Sequence, residues 1–216
     1  MEADAGSGLR PARHLTQVVI LILAAGASSR MRGGDKLLEQ VDAEPLVRRQ
    51  AHVALATNSP VLVTLPSLTH PRAKALSGLA VQQVEVPDAD LGMSASLYRG
   101  VAALPKGAEA VMILPGDMPE LQTEDLQKLI AAFDSAPSPC LVQAAAQDGT
   151  PGHPVLFPKD CFDDLAHLDG DQGARSVLRA NAHRLLRIAL PGQRALIDLD
   201  TPEDWAHWRR TNTDRT

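Results

Sequence analysis

The strongest constraint on this chain is one apolar run and the loop after it. Val18–Ala25 passes without a polar residue into Gly26, and the next ten positions read "ASSRMRGGDK". An unbroken stretch of β-branched residues and leucine is what a strand buried on both faces of a parallel sheet requires. The run starts late and is only eight residues long. Arg10 and Arg13 ahead of it and the small residues after it mimic a secretory leader, but a run that starts so late and consists of β-branched residues and leucine fits a buried parallel strand better. The small residues after the strand let backbone N–H groups approach a ligand closely. Arg30 and Lys36 add positive charge that a polyphosphate needs and a structural turn does not. The loop is not the dinucleotide fingerprint, because Gly26 has no glycine two residues on, and it is not a P-loop, because Lys36 stands between Asp35 and Leu37.

The rest of the chain extends the pattern. Strand-like runs at 17–25, 60–66, 79–86 and 110–117 alternate with helical stretches at 45–57, 70–78, 94–104 and from Thr123 to Phe133, with Thr123 as N-cap. The second half is less regular, with strands expected at 140–146, 153–157, 184–190 and 195–200 and helices near 159–168, 173–181 and 202–210. Such alternation predicts an α/β fold, a three-layer, Rossmann-like, mostly parallel sheet with helices on both faces. Ligands in such sheets bind beyond the carboxyl ends of the strands. Residues 1–15 are read as a disordered tail, 16–210 as a single domain and 211–216 as a flexible C-terminus.

Composition narrows the function. A net charge of −5 with scattered basic residues argues against a nucleic-acid groove or an anionic membrane surface, and 3% aromatics leaves little for base stacking. No stretch approaches the ~18–20 apolar residues of a membrane span. Cys140 and Cys161 lack metal-ligand spacing and read as isolated thiols in a reducing cytoplasm, the expected location.

The chemistry-bearing residues fall at strand exits. Asp117, in "LPGDMPEL", is bracketed by Pro115 and Pro119. A carboxylate in so restricted a backbone suits Mg²⁺, which takes one or two carboxylates beside substrate phosphates, and it equally suits a turn that caps itself. "IDLDTPEDW" places Asp198 and Asp200 at alternating strand positions, hence on one sheet face. Thr201 and Pro202 then read as a helix N-cap and first helical residue, with Glu203 and Asp204 in the first turn. In "LGMSASLYRG", Ser94 and Ser96 come after Gly92 at a loop-to-helix junction, where serines also serve as N-caps.

"LAAGASSRMRGGDK" resembles the signature L-A-[AG]-G-x-S-x-R-M-x-x-x-x-K of the MobA-like nucleotidyltransferases, which attach CMP or GMP to molybdopterin. The family often has glycine directly after the Met, where this chain has Arg32. The resemblance spans roughly residues 17–208 and implies the nucleotide-diphospho-sugar transferase type of fold. It implies that Leu23, Ala24, Ala25 and Gly26 bind the nucleotide, with Arg30 and Lys36 on its phosphates. It further implies that Gly92, Ser94 and Ser96 lie near base and ribose, and that Asp117 and Asp200 hold Mg²⁺, with Asp198 as a substitute for Asp200. "PGHPVLF" and "GDQGARSVL" resemble acceptor-facing segments of the cytidylyl branch, which makes Gly152, His153, Asp171, Gly173 and Arg175 acceptor-side candidates. His153 also fits a solvated turn, and Arg175 also fits an ion pair with Asp171.

The expected activity is transfer of CMP from CTP to molybdopterin, with release of pyrophosphate and delivery of the product to a molybdoenzyme or its maturation chaperone. Ala25 supports CTP, because the guanylyl branch has glycine there. A guanylyltransferase, or an enzyme for another phosphorylated acceptor, is the nearest alternative. A non-catalytic carrier of the finished cofactor could dispense with Arg30, Lys36, Asp117 and Asp200, all present here. A dinucleotide oxidoreductase lacks its glycine fingerprint.

Overall fold

The structure is a computed structural model and describes residues 17–168 and 173–212. Its centre is β1 (Val18–Leu23), in which Val18 to Ile22 are buried to within 3% of complete. Because strand side chains alternate, Val18, Ile20 and Ile22 enter one hydrophobic cluster and Val19 and Leu21 the other. A small hairpin comes next, β2 (Gln40–Val41) and β3 (Glu44–Pro45), then α1 (Leu46–Leu55), β4 (Val61–Leu65), α2 (Pro71–Ala75), β5 (Gln82–Glu85) and α3 (Met93–Ala102). The chain continues through β6 (Ala110–Pro115), α4 (Thr123–Ser135), β7 (Leu141–Ala145), β8 (Pro151–Pro158), α5 (Phe162–Ala166), α6 (Arg175–Ala180), β9 (Leu185–Ala189) and α7 (Pro202–Thr211).

Seven strands form one sheet in the order β5-β4-β1-β6-β8-β7-β9. Only β8 opposes the rest, antiparallel to β6 on one side and β7 on the other, so the sheet is mostly parallel as expected. Helices cover both faces. Leu46, Val47, Ala51 and Ala54 of α1, Leu126 and Leu129 of α4, and Trp205 and Trp208 of α7 pack on one side. Leu97 of α3, Leu165 of α5 and Val177 of α6 pack on the other. The chain leaves β1 toward β4 and β5, then crosses back to β6 on the far flank of β1. This reversal opens a crevice beyond the carboxyl ends of β1 and β6, where such sheets bind ligands.

The expected strand at 195–200 is not formed. β8 and β7 already have neighbours on both edges, so the segment runs instead as irregular chain across the start of β8. It is held by Leu199 N–H to the Asp117 carbonyl (3.2 Å) and His153 N–H to the Ala195 carbonyl (2.8 Å). The period-two pattern of "ALIDLD" arises because Ala195 and Leu199 are buried in one hydrophobic cluster and Ile197 packs against it, without strand pairing. Thr123 is the first residue of α4 rather than its N-cap, a place taken by Gln122, and its hydroxyl donates to the Val53 carbonyl. Thr201 does cap α7: its hydroxyl accepts from Asp204 N–H while the Asp204 carboxylate accepts from Thr201 N–H.

Gly152 explains how that segment approaches β8. A Cβ at this position would lie 2.0 Å from the Ala195 carbonyl oxygen, a backbone atom that can move only with the loop. Gly152→Ala should therefore destabilise the fold by about 1–3 kcal/mol, the usual cost of forcing atoms into a packed contact. Thermal unfolding checks this, and an unchanged midpoint would mean that the loop lifts away freely.

Candidate functional site

The loop leaving β1 is fixed by apolar plugs with charges between them. Met31 ends a short 3₁₀ turn (Ser29–Met31) and is buried, as is Leu37 in a second turn (Lys36–Leu38). The backbone can take this path because Ser28 and Arg32 adopt left-handed φ values of 50° and 51°. Asp35 caps the second turn, its carboxylate accepting from Leu37 N–H at 3.0 Å. With Met31 and Leu37 turned inward, Arg30 and Lys36 are left on the cleft side.

The cleft has a volume of about 490 Å³ and is lined by Leu23, Gly26 to Arg30, Lys36, Pro115 to Asp117 and Asp200, with Ala25, Ala89, Asp90, Gly92, Met93 and Ser96 closing the other end. At its charged end the Lys36 ammonium bridges two carboxylates, 2.5 Å from Asp117 Oδ2 and 2.6 Å from Asp200 Oδ1. Arg30 Nη1 stands 2.7 Å from the other oxygen of Asp200. Burial by itself disfavours the Lys36 ammonium, but the Asp117 and Asp200 carboxylates together outweigh it and raise its pKa, so Lys36 is charged. Asp198 completes the group: one oxygen from each of Asp117, Asp198 and Asp200 lies within 4.8 Å of the others. Its pKa is raised, by burial first and then by the negative charges of Asp117 and Asp200.

This donor set fits a hard divalent cation. All three groups offer carboxylate oxygen, the ligand type Mg²⁺ takes, and Asp117 Oδ1 is buried without a hydrogen-bond partner among the described residues. Lys36 and Arg30 offset two of the three negative charges, so the cluster keeps an excess that a cation would neutralise.

The other sequence candidates are placed unevenly. Leu23, Ala25, Gly26, Gly92 and Ser96 line the cleft, whereas the Ala24 side chain lies in the core below it. Neither Ser94 nor Ser96 caps a helix. α3 begins at Met93 with Gly92 as its N-cap, and Gly92 has φ 101° and ψ −169°, a conformation L-residues rarely adopt. Gly152 contacts the Ala195 backbone instead of a cavity. His153 stands near both Asp117 and Arg175. Desolvation lowers its pKa, the Arg175 charge adds to this and the Asp117 carboxylate opposes it, so the imidazole is neutral at pH 7. Gly173, with φ 55°, abuts the Met93 sulfur, and Arg175 is exposed at the start of α6. Asp171 lies outside the described residues. Sequence reasoning missed Asp35 and Arg72, whose guanidinium is buried under the loop. Nothing local could have revealed Arg72, because its partners lie 37 to 48 positions away.

A doubly covered, mostly parallel sheet with a cationic loop facing a carboxylate cluster defines a nucleotidyltransferase. The chain belongs to the MobA-like NTP transferase domain family, whose model matches residues 20–185. It is 30% identical over 206 residues to the purine catabolism protein PucB of Bacillus subtilis, covering 88% of this chain and 95% of that one. It is 31% identical over 197 residues to the molybdenum cofactor guanylyltransferase of Cereibacter sphaeroides, covering 86% and 92%. Among solved structures, Rv0371c of Mycobacterium tuberculosis superposes with a TM-score of 0.78 at 25% identity over 91% of this chain and 99% of that one. Rv0371c has also been solved as a manganese complex.

Three substitutions separate the cluster's chemistry from general charge. Asp117→Asn should lower turnover by about 10²–10³-fold, the usual cost of a key electrostatic contact, with the circular dichroism spectrum unchanged. Near-normal turnover at saturating Mg²⁺ would exclude Asp117 as a ligand of a divalent cation. Lys36→Ala should weaken nucleotide binding and slow transfer, whereas Lys74→Ala, on the exposed face of α2, should do neither. Nucleotide titrations of the two lysine variants check the second expectation.

Proposed function

We propose that this protein transfers CMP from CTP to the terminal phosphate of molybdopterin, releasing pyrophosphate, and that it uses Mg²⁺. The observation that carries the reading is the convergence of Arg30 and Lys36 with Asp117, Asp198 and Asp200 at one end of a cleft of about 490 Å³. No protein nucleophile is needed. An oxygen of the acceptor phosphate attacks the α-phosphorus, the bond from that phosphorus to the α–β bridging oxygen breaks, and pyrophosphate carries away the electron pair. The protein supplies alignment and charge. The loop Leu23–Gly26 lies under the nucleotide, and Arg30 and Lys36, released from Asp117 and Asp200 when a cation takes their place there, meet the charge that grows on the leaving pyrophosphate. Asp117 and Asp200, with Asp198 beside them, hold the cation, which when bound neutralises phosphate charge and orients the reacting groups. Gly92 and Ser96 sit at the base and ribose end. His153 and Arg175, with Gly173, face the acceptor. The product would pass to a molybdoenzyme or its maturation chaperone in the cytoplasm.

The relative from Cereibacter sphaeroides carries a guanylyltransferase name, which favours GTP as the second reading. Ala25 favours CTP. It is 2% exposed and its methyl group packs with Val86 and Ala95, filling space between the loop and α3. A two-ring base needs more room at that end of the cleft. A methylene-sized difference is worth about 1–3 kcal/mol, so Ala25 contributes to selection without determining it alone.

The deciding experiment supplies purified protein with Mg²⁺, molybdopterin and each of the four nucleoside triphosphates, and measures pyrophosphate. CTP should give the highest kcat/KM. Ala25→Gly should narrow the CTP-to-GTP ratio without inverting it. A native preference for GTP would promote the guanylyl reading, and no release with any nucleotide would sink the assignment.

A further inference from the structure

We infer that Arg72 is the positioning residue for the nucleotide loop: from beneath the site it turns two loop carbonyls inward and so aims two backbone N–H groups into the cleft. This rests on the nucleotide reading above and adds a residue that lies outside the loop and does not line the cleft. Arg72 belongs to α2, is 2% exposed, and directs all five of its N–H donors to the loop. Nε donates to Asp35 Oδ2 at 2.7 Å, and Nη2 to Asp35 Oδ1 at 2.8 Å and Ser28 Oγ at 3.0 Å. Nη1 donates to the carbonyls of Ala24 and Gly26, at 2.7 and 2.8 Å.

Peptide geometry then sets the direction of the loop's amides. The peptides after Ala24 and Gly26 are trans, so each carbonyl points opposite to the next residue's N–H. With both carbonyls drawn down onto Arg72, the N–H groups of Ala25 and Ala27 are directed up toward the cleft that both residues line. Among the described residues neither donates to a backbone carbonyl, and neither meets a side-chain acceptor as Ala24 N–H meets the Thr64 hydroxyl, so both are free for phosphate oxygens. The same guanidinium joins the two ends of the loop, because Asp35 immediately precedes Lys36. One planar fork thereby sets the amides at one end and the base of the lysine side chain at the other. Lysine could supply the charge but has three donors and no fixed fork, so it cannot hold both carbonyls and the carboxylate together.

The test compares wild type with Arg72→Lys and Arg72→Ala, using Mg²⁺–CTP binding by calorimetry and steady-state kinetics. In Arg72→Lys the KM for nucleotide should rise at least tenfold and the calorimetric affinity fall in parallel, while the KM for acceptor stays within twofold. A variant that had merely lost folded protein would show a lower kcat and unchanged KM values. Added guanidinium, and not ammonium, should restore nucleotide binding to Arg72→Ala. Wild type that binds no nucleoside triphosphate would overturn the nucleotide reading itself. Wild type that binds, alongside an Arg72→Lys variant that binds equally well, would overturn the role of Arg72 alone. Should the variants not fold, the amide resonances of Ala25 and Ala27 in ¹⁵N-labelled wild type decide the matter. A shift of both on titration with Mg²⁺–CTP supports the inference, and two unmoved resonances in a protein that binds CTP refute it.

Discussion

Three carboxylates held within 4.8 Å of one another repel, and the surrounding structure has to overcome that repulsion. Asp117 comes from the end of β6, and Asp198 and Asp200 from the segment before α7, so the chain must bring two distant stretches of like charge together. Apolar burial does part of this. Leu199 lies between the two later aspartates, is 4% exposed, and its N–H meets the carbonyl of Asp117 itself. Thr201 and Asp204 then lock the start of α7 directly behind Asp200, and Trp205 and Trp208 anchor that helix in the core. Arg194, a few residues upstream, pairs with the buried carboxylate of Asp125 at the start of α4 and tethers the other end of the segment.

The two cations beside these carboxylates are not equivalent. Arg30 pairs with Asp200 through a side chain that is 68% exposed, where solvent and salt screen the attraction and such a pair is worth little. Lys36 is largely buried and touches both Asp117 and Asp200, so it carries most of the local neutralisation. A buried ammonium between two carboxylates is tolerable because each charge is the other's solvation. Its four-carbon stem also gives the ammonium reach, whereas the backbone at Lys36 is fixed by the Asp35 cap and the buried Leu37.

The parts of this arrangement that are legible in the sequence are those written in continuous stretches. β1, its loop and the exit of β6 each place their chemistry next to the strand that positions it, so pattern and function coincide in a few residues. The segment carrying Asp198 and Asp200 is legible as chemistry and misleading as structure. Its alternating apolar residues imitate a strand, and sequence does not show that the segment crosses the start of β8, whose two neighbours β6 and β7 are already in place. The serines of "LGMSASL" imitate caps for a related reason, since the conformation of Gly92 starts the helix one residue before Ser94. Arg72 is not legible at all. In sequence it is an ordinary arginine on a short helix, and its meaning arises only when α2 packs beneath a loop that left the sheet more than thirty residues earlier.

Ala25 shows how placement changes the interpretation of a residue whose position the sequence does reveal. A methyl group on the loop suggests a direct steric filter against the base, yet this methyl is enclosed by Val86 and Ala95 and is almost wholly buried. It acts as a spacer between the loop and α3, the helix whose first turn supplies Met93 and Ser96 to the cleft wall. Removing it leaves a small void in a cluster of few residues, and the surrounding loop can relax into such a void only in part. Base selection on the proposed reading then works through the separation of the loop from α3. That separation is set by packing, while the direction of the loop's amides is set by Arg72. The two ends of the cleft are thus tuned by different forces, dispersion around Ala25 and hydrogen bonding around Arg72. Ala25 belongs to both, since its methyl group sets the spacing while its N–H is one of the amides that Arg72 directs, so a change there is felt first in which base is accepted and second in how the phosphates are held.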